Sequence, residues 1–515
     1  MSAQPMPPTH MEVKNRALIT ASLMLATIMQ VLDTTIANVA LPSMKADLGA
    51  SSDTINWVLT AYIVAAAIAT PLSGWMSERF GRKEIFIWSI VGFVVTSMLC
   101  GIAWSLETMV AFRLLQGVFG AAIVPLSQTF LLDINPRERQ GQAMAIWGAG
   151  IMVGPIIGPT LGGYLTDAFN WRWVFYINVP LGIIALVGCL ASLPDMPRRI
   201  RQFDFFGFAA LSIGIGALQL MLDRGGEVDW FNSAEIWIET AIAVCGFWVF
   251  AVWIAGTEHP FIDPKMFLDR NFAVGLVFIF IVGIILLASL ALMPPMLSSI
   301  FGYPVVTTGL VMAPRGVGTM ATMIIAGRIV RHVDPRKMVA TGLVLTAISL
   351  EMMTGFDPQM DSWPIISSGL VQGFGLGLVF VPLSTVAFAT LDPRYRGDGT
   401  ALFSLLRNIG SSIGISVVTL LLTRNTQINH VQLAQHLSPY DPNFGQLSTI
   451  FAGLRASYGE GAAWTQMNAI VGQQAAMIGY VDDFKAMTWV TVAAIPLIFL
   501  LRRPGAPAAT PVPSE

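Results

Sequence analysis

Runs of about twenty apolar residues recur along nearly the whole chain, and nothing else in the sequence leaves it so few choices of fold. A hydrocarbon core about 30 Å thick is crossed by about 20 residues at 1.5 Å rise, because a helix satisfies its own backbone polar groups where water cannot. Such runs occupy 17–40, 55–75, 85–104, 108–132, 141–165 and 173–193, then 205–222 and 234–255. A second six follow at 272–293, 305–329, 338–354, 364–390, 401–423 and 486–501. The expectation is an all-α membrane protein with fourteen spans. Of the 515 residues, 54% are hydrophobic and 12% charged, against roughly 25% charged in soluble domains, so a water-soluble globule is excluded. A formal charge of −2 supplies no basic field for nucleic acid. Cys100, Cys189 and Cys245 stand inside apolar runs, neither a disulfide framework nor a metal cluster.

Loop charge sets the orientation, since Lys/Arg-rich loops stay cytoplasmic. With the N-terminus inside, twenty of the 29 Lys and Arg residues fall on the inner side and six on the outer. Three, Arg113, Arg315 and Arg407, fall within spans. Both termini are therefore expected in the cytoplasm. The first span is too long for a removable signal peptide and lacks a cleavage site.

The two halves repeat. Gln116-Gly117 to Pro125-Leu126-Ser127 resembles Gln372-Gly373 to Pro382-Leu383-Ser384, and the match continues from residues 135–139 to 392–396. The seventh and eighth spans are then an insertion. The chain is expected to divide into a tail (1–16), a six-helix bundle (17–193), a linker with two extra helices (194–271), a second bundle (272–501) carrying a long outer loop (424–485), and a tail (502–515). Repeated halves around a central pathway are how many secondary transporters expose one site alternately to each side. All five histidines are placed in tails or loops, which argues against an intramembrane metal or haem site, and no Walker-type loop is present. No cofactor is expected; the energy source is expected to be an ion gradient.

Charge inside hydrocarbon costs at least about 2.5–3.5 kcal/mol per side chain, so each such residue is a functional candidate. Asp33 lies roughly 24 Å from residue 17 and about 12 Å from the outer end of its helix; Arg113 comes out roughly 9 Å deep from the outside. The compatible depths suggest that Asp33 carries a proton and Arg113 tunes it; the alternative is a static ion pair that fixes helix register. Gln30, Asp33, Arg315 and Arg407 are the expected lining of the substrate cavity. Asp33 is the one deep acid in this reading, with Asp223, Glu239 and Glu351 near helix ends, so the cavity should favour hydrophobic anions or neutral amphipaths over dications. Arg315 and Arg407 could instead be structural residues bonded to helix ends.

Gly74, Glu78, Arg79, Gly81, Arg82 and Lys83 follow the second span. Acid and base there could form a latch whose ion pairs exist in one conformation only, or simply a positive-inside loop. Gly327, Arg331, Arg336 and Lys337 echo it in the other half. Gly150, Gly154, Gly158 and Gly162 recur every four residues in the fifth span, with Pro155 and Pro159 interleaved and Gly163 closing. This bare face invites close helix packing.

Together these residues resemble the major facilitator superfamily, in particular its fourteen-helix drug:proton antiporter branch and the EmrB-type exporters within it. The 74–83 stretch is similar to the superfamily loop motif Gly-x-Leu-x-Asp-Arg-x-Gly-Arg-Lys, with Met76 for Leu and Glu78 for Asp. Gly154 to Gly163 is similar to the antiporter motif of the fifth helix, with Ala145 in place of its leading glycine. Arg113 to Gly117 resembles a fourth-helix motif whose arginine is implicated in proton transfer, and residues 32–42 resemble the first-helix signature. The resemblance implies the major facilitator fold, two six-helix bundles plus two inserted helices, in a bacterial inner membrane. It also implies export of amphipathic toxic compounds, as in antibiotic resistance, with a periplasmic adaptor and, through it, an outer-membrane channel. The 424–485 loop, with Tyr440, Phe444, Phe451, Tyr458 and Trp464, is expected to cap the exit and meet the adaptor; the alternative is a merely tolerated insertion. An importer of one metabolite and a non-transporting scaffold of the same fold are the competing readings.

Overall fold

The computed structural model describes residues 13, 15–196, 198, 201–435 and 444–502; the outermost parts of both tails, with His10, and residues 436–443, with His436 and Tyr440, lie outside them. Among the described residues every regular element is helical. The spans are α1 (Arg16–Asp47), α2 (Trp57–Ala69 and Leu72–Phe80, a pair bent by 56°), α3 (Arg82–Gly101), α4 (Leu106–Ile134), α5 (Glu138–Ala168), α6 (Trp173–Ser192), α7 (Phe205–Arg224) and α8 (Ala234–Gly256). They continue as α9 (Arg270–Ser299), α10 (Val306–Ile329), α11 (Pro335–Thr354), α12 (Trp363–Ala389), α13 (Pro393–Gln435) and α14 (Glu460–Leu500). Counting the bent pair as one span gives fourteen. Pro71 stands at the bend of α2, where its missing N–H breaks the ladder.

Two groups of six form the bundles. The inserted pair rides on their flank: α7 packs on α2 and reaches α13, where Ser416 Oγ donates to the Leu222 carbonyl at 2.8 Å. Gly246 of α8 lies so close to α7 that a Cβ would stand 2.8 Å from Gly214 Cα. The far side of α8 exposes Trp237, Trp248 and Val252, the composition of a surface facing lipid rather than protein.

The long loop is where the structure departs from the sequence reading. Helix α13 continues to Gln435, twelve residues past the expected end, and α14 begins at Glu460 rather than 486. At 1.5 Å per residue each is roughly 60 Å long, about twice a hydrocarbon core. The two therefore project as a hairpin, with a further helix at Phe444–Tyr458. Polar residues ended the apolar runs without ending the helices, since the Gln, Ala, Met and Leu residues there propagate a helix well enough outside the membrane. His430, expected in a loop, stands on α13 and bonds Asn468 at 3.0 Å, and Gln473 ties the hairpin to the Ile300 carbonyl at 2.7 Å. Asp483, read as a loop residue, is fully buried on α14, so Asp33 is not the single deep acid.

Candidate functional site

Asp33 sits near the middle of α1 and Arg113 in the second turn of α4; they are 1% and 0% exposed. Arg113 Nη1 donates to Asp33 Oδ2 at 2.7 Å and to Gln116 Oε1 at 2.7 Å, while its Nε donates to the Val58 carbonyl at 3.0 Å. The other carboxylate oxygen, Oδ1, accepts from Gln116 Nε2 at 3.0 Å and Asn178 Nδ2 at 2.7 Å. The guanidinium also lies 4.5 Å from the centroid of the Tyr62 ring, a favourable face for a cation. Gln30 donates to the Tyr62 hydroxyl at 2.9 Å. Four helices, α1, α2, α4 and α6, thus meet on one charge pair. Asn178, Tyr62 and the Val58 carbonyl went unread in the sequence, because an uncharged polar residue or a backbone oxygen in a span carries no charge cost to betray it.

The glycines of α5 lie against the same helix that carries Asp33. A Cβ at Gly154 would stand 3.0 Å from Val31 Cγ1, one at Gly162 would stand 3.3 Å from Ile36 Cα, and one at Gly158 would collide with Thr35 Oγ1. The ridge therefore sets the approach of α5 to α1. Its other flank meets the second bundle, where Ile156 fills the space above Gly316.

The four expected cavity residues do not form one cluster. Gln30 and Asp33 belong to the first bundle. Arg315, on α10, turns into the second bundle, where its Nη2 donates to Ser289 Oγ at 2.9 Å and to the Leu286 carbonyl at 3.2 Å. Arg407, on α13, is partly buried and has no side-chain partner among the described residues; its carbonyl crowds Gly283 of α9.

At the face carrying the 74–83 turn, ion pairs join the bundles. Asp133, at the end of α4, takes Arg82 on one side and Arg396 of the second bundle at 2.8 Å on the other. Arg201, in the connection before α7, bonds Asp398 at 2.6 Å and lies 3.8 Å from Glu78. Burial works to lower the pKa of Arg201 and is the largest single influence on it, but the charge and hydrogen bond of Asp398 together with the charges of Glu78 and Asp263 outweigh it and hold the guanidinium above its ordinary value. Gly74 has no room for a Cβ because Asp398 Oδ1 stands there, and Gly81 adopts φ +107°, a left-handed angle that favours glycine. Lys83 pairs with Asp195 at 3.0 Å, whereas Arg79 is exposed. Thr129 and Thr400 hydroxyls bond across the bundles at 2.7 Å nearby. In the echo, Gly327 abuts Ala145, and Arg336 pairs with Asp334 at 3.1 Å. No group of metal-ligating side chains is found among the described residues.

The family profile of the Major Facilitator Superfamily matches residues 23–415. The multidrug export protein EmrB of Escherichia coli (strain K12) is 35% identical over 490 residues, 94% of each chain. EmrB of Haemophilus influenzae is 37% identical over 477 residues, 92% of each. The fatty acid resistance protein FarB of Neisseria gonorrhoeae is 34% identical over 490 residues, covering 95% of this chain and 96% of FarB. In shape the chain also resembles the human organic anion transporter MFSD10, at TM-score 0.58 and 16% identity over 92% of this chain and 99% of that one. With fourteen apolar spans, a repeated pair of six-helix bundles and this likeness along almost its full length, the chain belongs to the major facilitator superfamily and to its EmrB-type group.

Proposed function

We propose that this chain is a proton-coupled antiporter that exports hydrophobic or amphipathic toxic compounds across a bacterial inner membrane, both termini cytoplasmic, as the inner-membrane part of a tripartite pump. The observation that carries the proposal is the buried Asp33–Arg113 pair. A carboxylate shared by helices α1, α4 and α6 is the one group there whose charge a proton can cancel. Protonation of Asp33 removes the ion pair and weakens the bonds from Gln116 and Asn178. Arg113 keeps Gln116 Oε1, the Val58 carbonyl and the Tyr62 face, so the arginine stays with α2 and α4 while α1 is released. The bare glycine face of α5 gives α1 a smooth surface to move on. The Asp133 and Asp398 ion clusters hold the bundles together on the basic face and must part for that face to open, which supports Gly74, Glu78, Gly81 and Arg82 as the latch, with Lys83 held to one side by Asp195. The names of the EmrB relatives support drug export, and that of FarB supports amphipaths as cargo. The projecting α13–α14 hairpin is the surface we assign to the periplasmic adaptor, through which the outer-membrane channel would be reached.

One proton moved inward at 100 mV supplies about 2.3 kcal/mol, enough for roughly fiftyfold accumulation of a substrate. The test is a proteoliposome assay with an imposed pH gradient and a panel of charged and neutral amphipaths. Uphill movement that collapses with the gradient is expected; uphill movement that ignores it would refute the coupling.

A further inference from the structure

The internal repeat carries the Asp33 site into the second bundle with its acid missing. Gln116 and Gln372 are equivalent, and the same offset of 256 places Ser289 where Asp33 stands and Gly369 where Arg113 stands. The side chains agree with that register: Gln116 Nε2 donates to Asp33 at 3.0 Å, and Gln372 Nε2 approaches Ser289 Oγ at 3.4 Å. The second bundle also has its guanidinium, but from a different helix. Arg315 of α10 passes beside Gly369, where a Cβ would stand 3.4 Å from Arg315 Cβ, and its Nη2 reaches Ser289 Oγ at 2.9 Å. A hydroxyl satisfies that bond and leaves the charge unbalanced.

Among the described residues, no acid supplies the balance. Arg315 is 7% exposed, and its Nη1 is buried with no acceptor among the described residues; Gln372 Oε1 is likewise without a donor there. Asp398 is engaged by Arg201, and neither oxygen of buried Asp483 has a hydrogen-bond partner among the described residues. An unpaired buried guanidinium costs several kcal/mol, a cost that an anion entering from outside the chain would offset. Leu286 and Met312, close by on α9 and α10, are only partly buried, which leaves apolar surface beside the charge. We infer that Arg315, Ser289 and Gln372 form a carboxylate-binding subsite, the unfilled counterpart of the Asp33–Arg113–Gln116 cluster, that takes the head group of an amphipathic monocarboxylate. The head group accepts from Arg315 Nη1 as Asp33 does from Arg113, beside a Gln372 amide whose nitrogen already approaches Ser289 Oγ as that of Gln116 approaches Asp33. The inference rests on the efflux reading only in taking this ligand as cargo.

Binding is measured without any gradient, on the full chain in nanodiscs, with labelled dodecanoate as probe and dodecanol as its uncharged partner. Ser289→Asp restores the arrangement that the first bundle already tolerates and should weaken dodecanoate at least about thirtyfold, with dodecanol unchanged. Arg315→Gln should do the same, and Arg315→Lys should recover part of the loss. Should Ser289→Asp fail to fold, the Arg315 pair decides. Dodecanoate binding that is absent in the parent chain, or equal in the parent, Ser289→Asp and Arg315→Gln, overturns the subsite. Arg315-dependent binding together with no gradient-driven export of any amphipath would leave the subsite standing and remove the efflux proposal instead.

Discussion

Replacing Asp33 by Asn tests the proton carrier with the least change of shape. The amide keeps one acceptor oxygen for Gln116 and Asn178, but it cannot balance Arg113, whose side chain is 1% exposed and which then retains Gln116 Oε1, the Val58 carbonyl and the Tyr62 and Phe175 rings but no anion. Removing one partner of a buried ion pair costs about 3–5 kcal/mol, chiefly because the other charge is stranded. Adding Arg113→Gln removes the stranded charge, so the double variant should regain part of that loss, and the pair should be strongly non-additive. For transport, the variant has no group at this point whose charge a proton can cancel. The roughly fiftyfold accumulation that one proton at 100 mV can sustain should fall to about onefold, while downhill exchange of substrate persists. The assay is gradient-driven uptake into inverted proteoliposomes beside thermal unfolding of the same preparations. An Asp33→Asn protein that accumulates substrate as the parent does, or single variants whose stability losses simply add, would refute the reasoning.

Other outcomes follow from the same contacts. Gly74→Leu places a side chain where Asp398 stands, so the closed basic face should be disfavoured by about 1–3 kcal/mol; export should drop tenfold or more, and maleimide labelling of an engineered cysteine on that face should rise. Asp133→Asn frees both Arg82 and Arg396 and should shift labelling in the same direction, more at low salt than at high. Gly158→Leu collides with Thr35 and should abolish export while membrane insertion, scored by protease protection, stays normal. Excising 436–459 and joining the hairpin with a short turn should leave gradient-driven transport in proteoliposomes intact and remove crosslinking to the adaptor; crosslinking that survives would move the docking surface elsewhere.

How much of this was legible in the sequence depended on what each residue costs in the membrane. Asp33 and Arg113 stood out because a charge in hydrocarbon demands a reason, and the 74–83 turn and α5 glycines stood out by spacing. Asn178 and Tyr62 did not, since a polar but neutral side chain is common in spans. The partners Asp133 and Asp398 were invisible because each is set against a basic residue far away in the chain, Arg396 and Arg201 respectively. Asp483 was misread because hydropathy locates where a helix leaves lipid, not where it ends.

By itself the sequence determined that the chain is a bundle of fourteen spans in two repeated halves, because the bilayer prices every polar group by depth and so writes the topology into residue order. Only the tertiary structure decided the other encounters: that Arg201 and Arg396 reach Asp398 and Asp133, and that Arg315, coming from a different helix than the repeat would give, finds a hydroxyl where Arg113 finds its carboxylate. Helix packing sets those encounters at distances of a few ångströms, and no one-dimensional pattern carries that information.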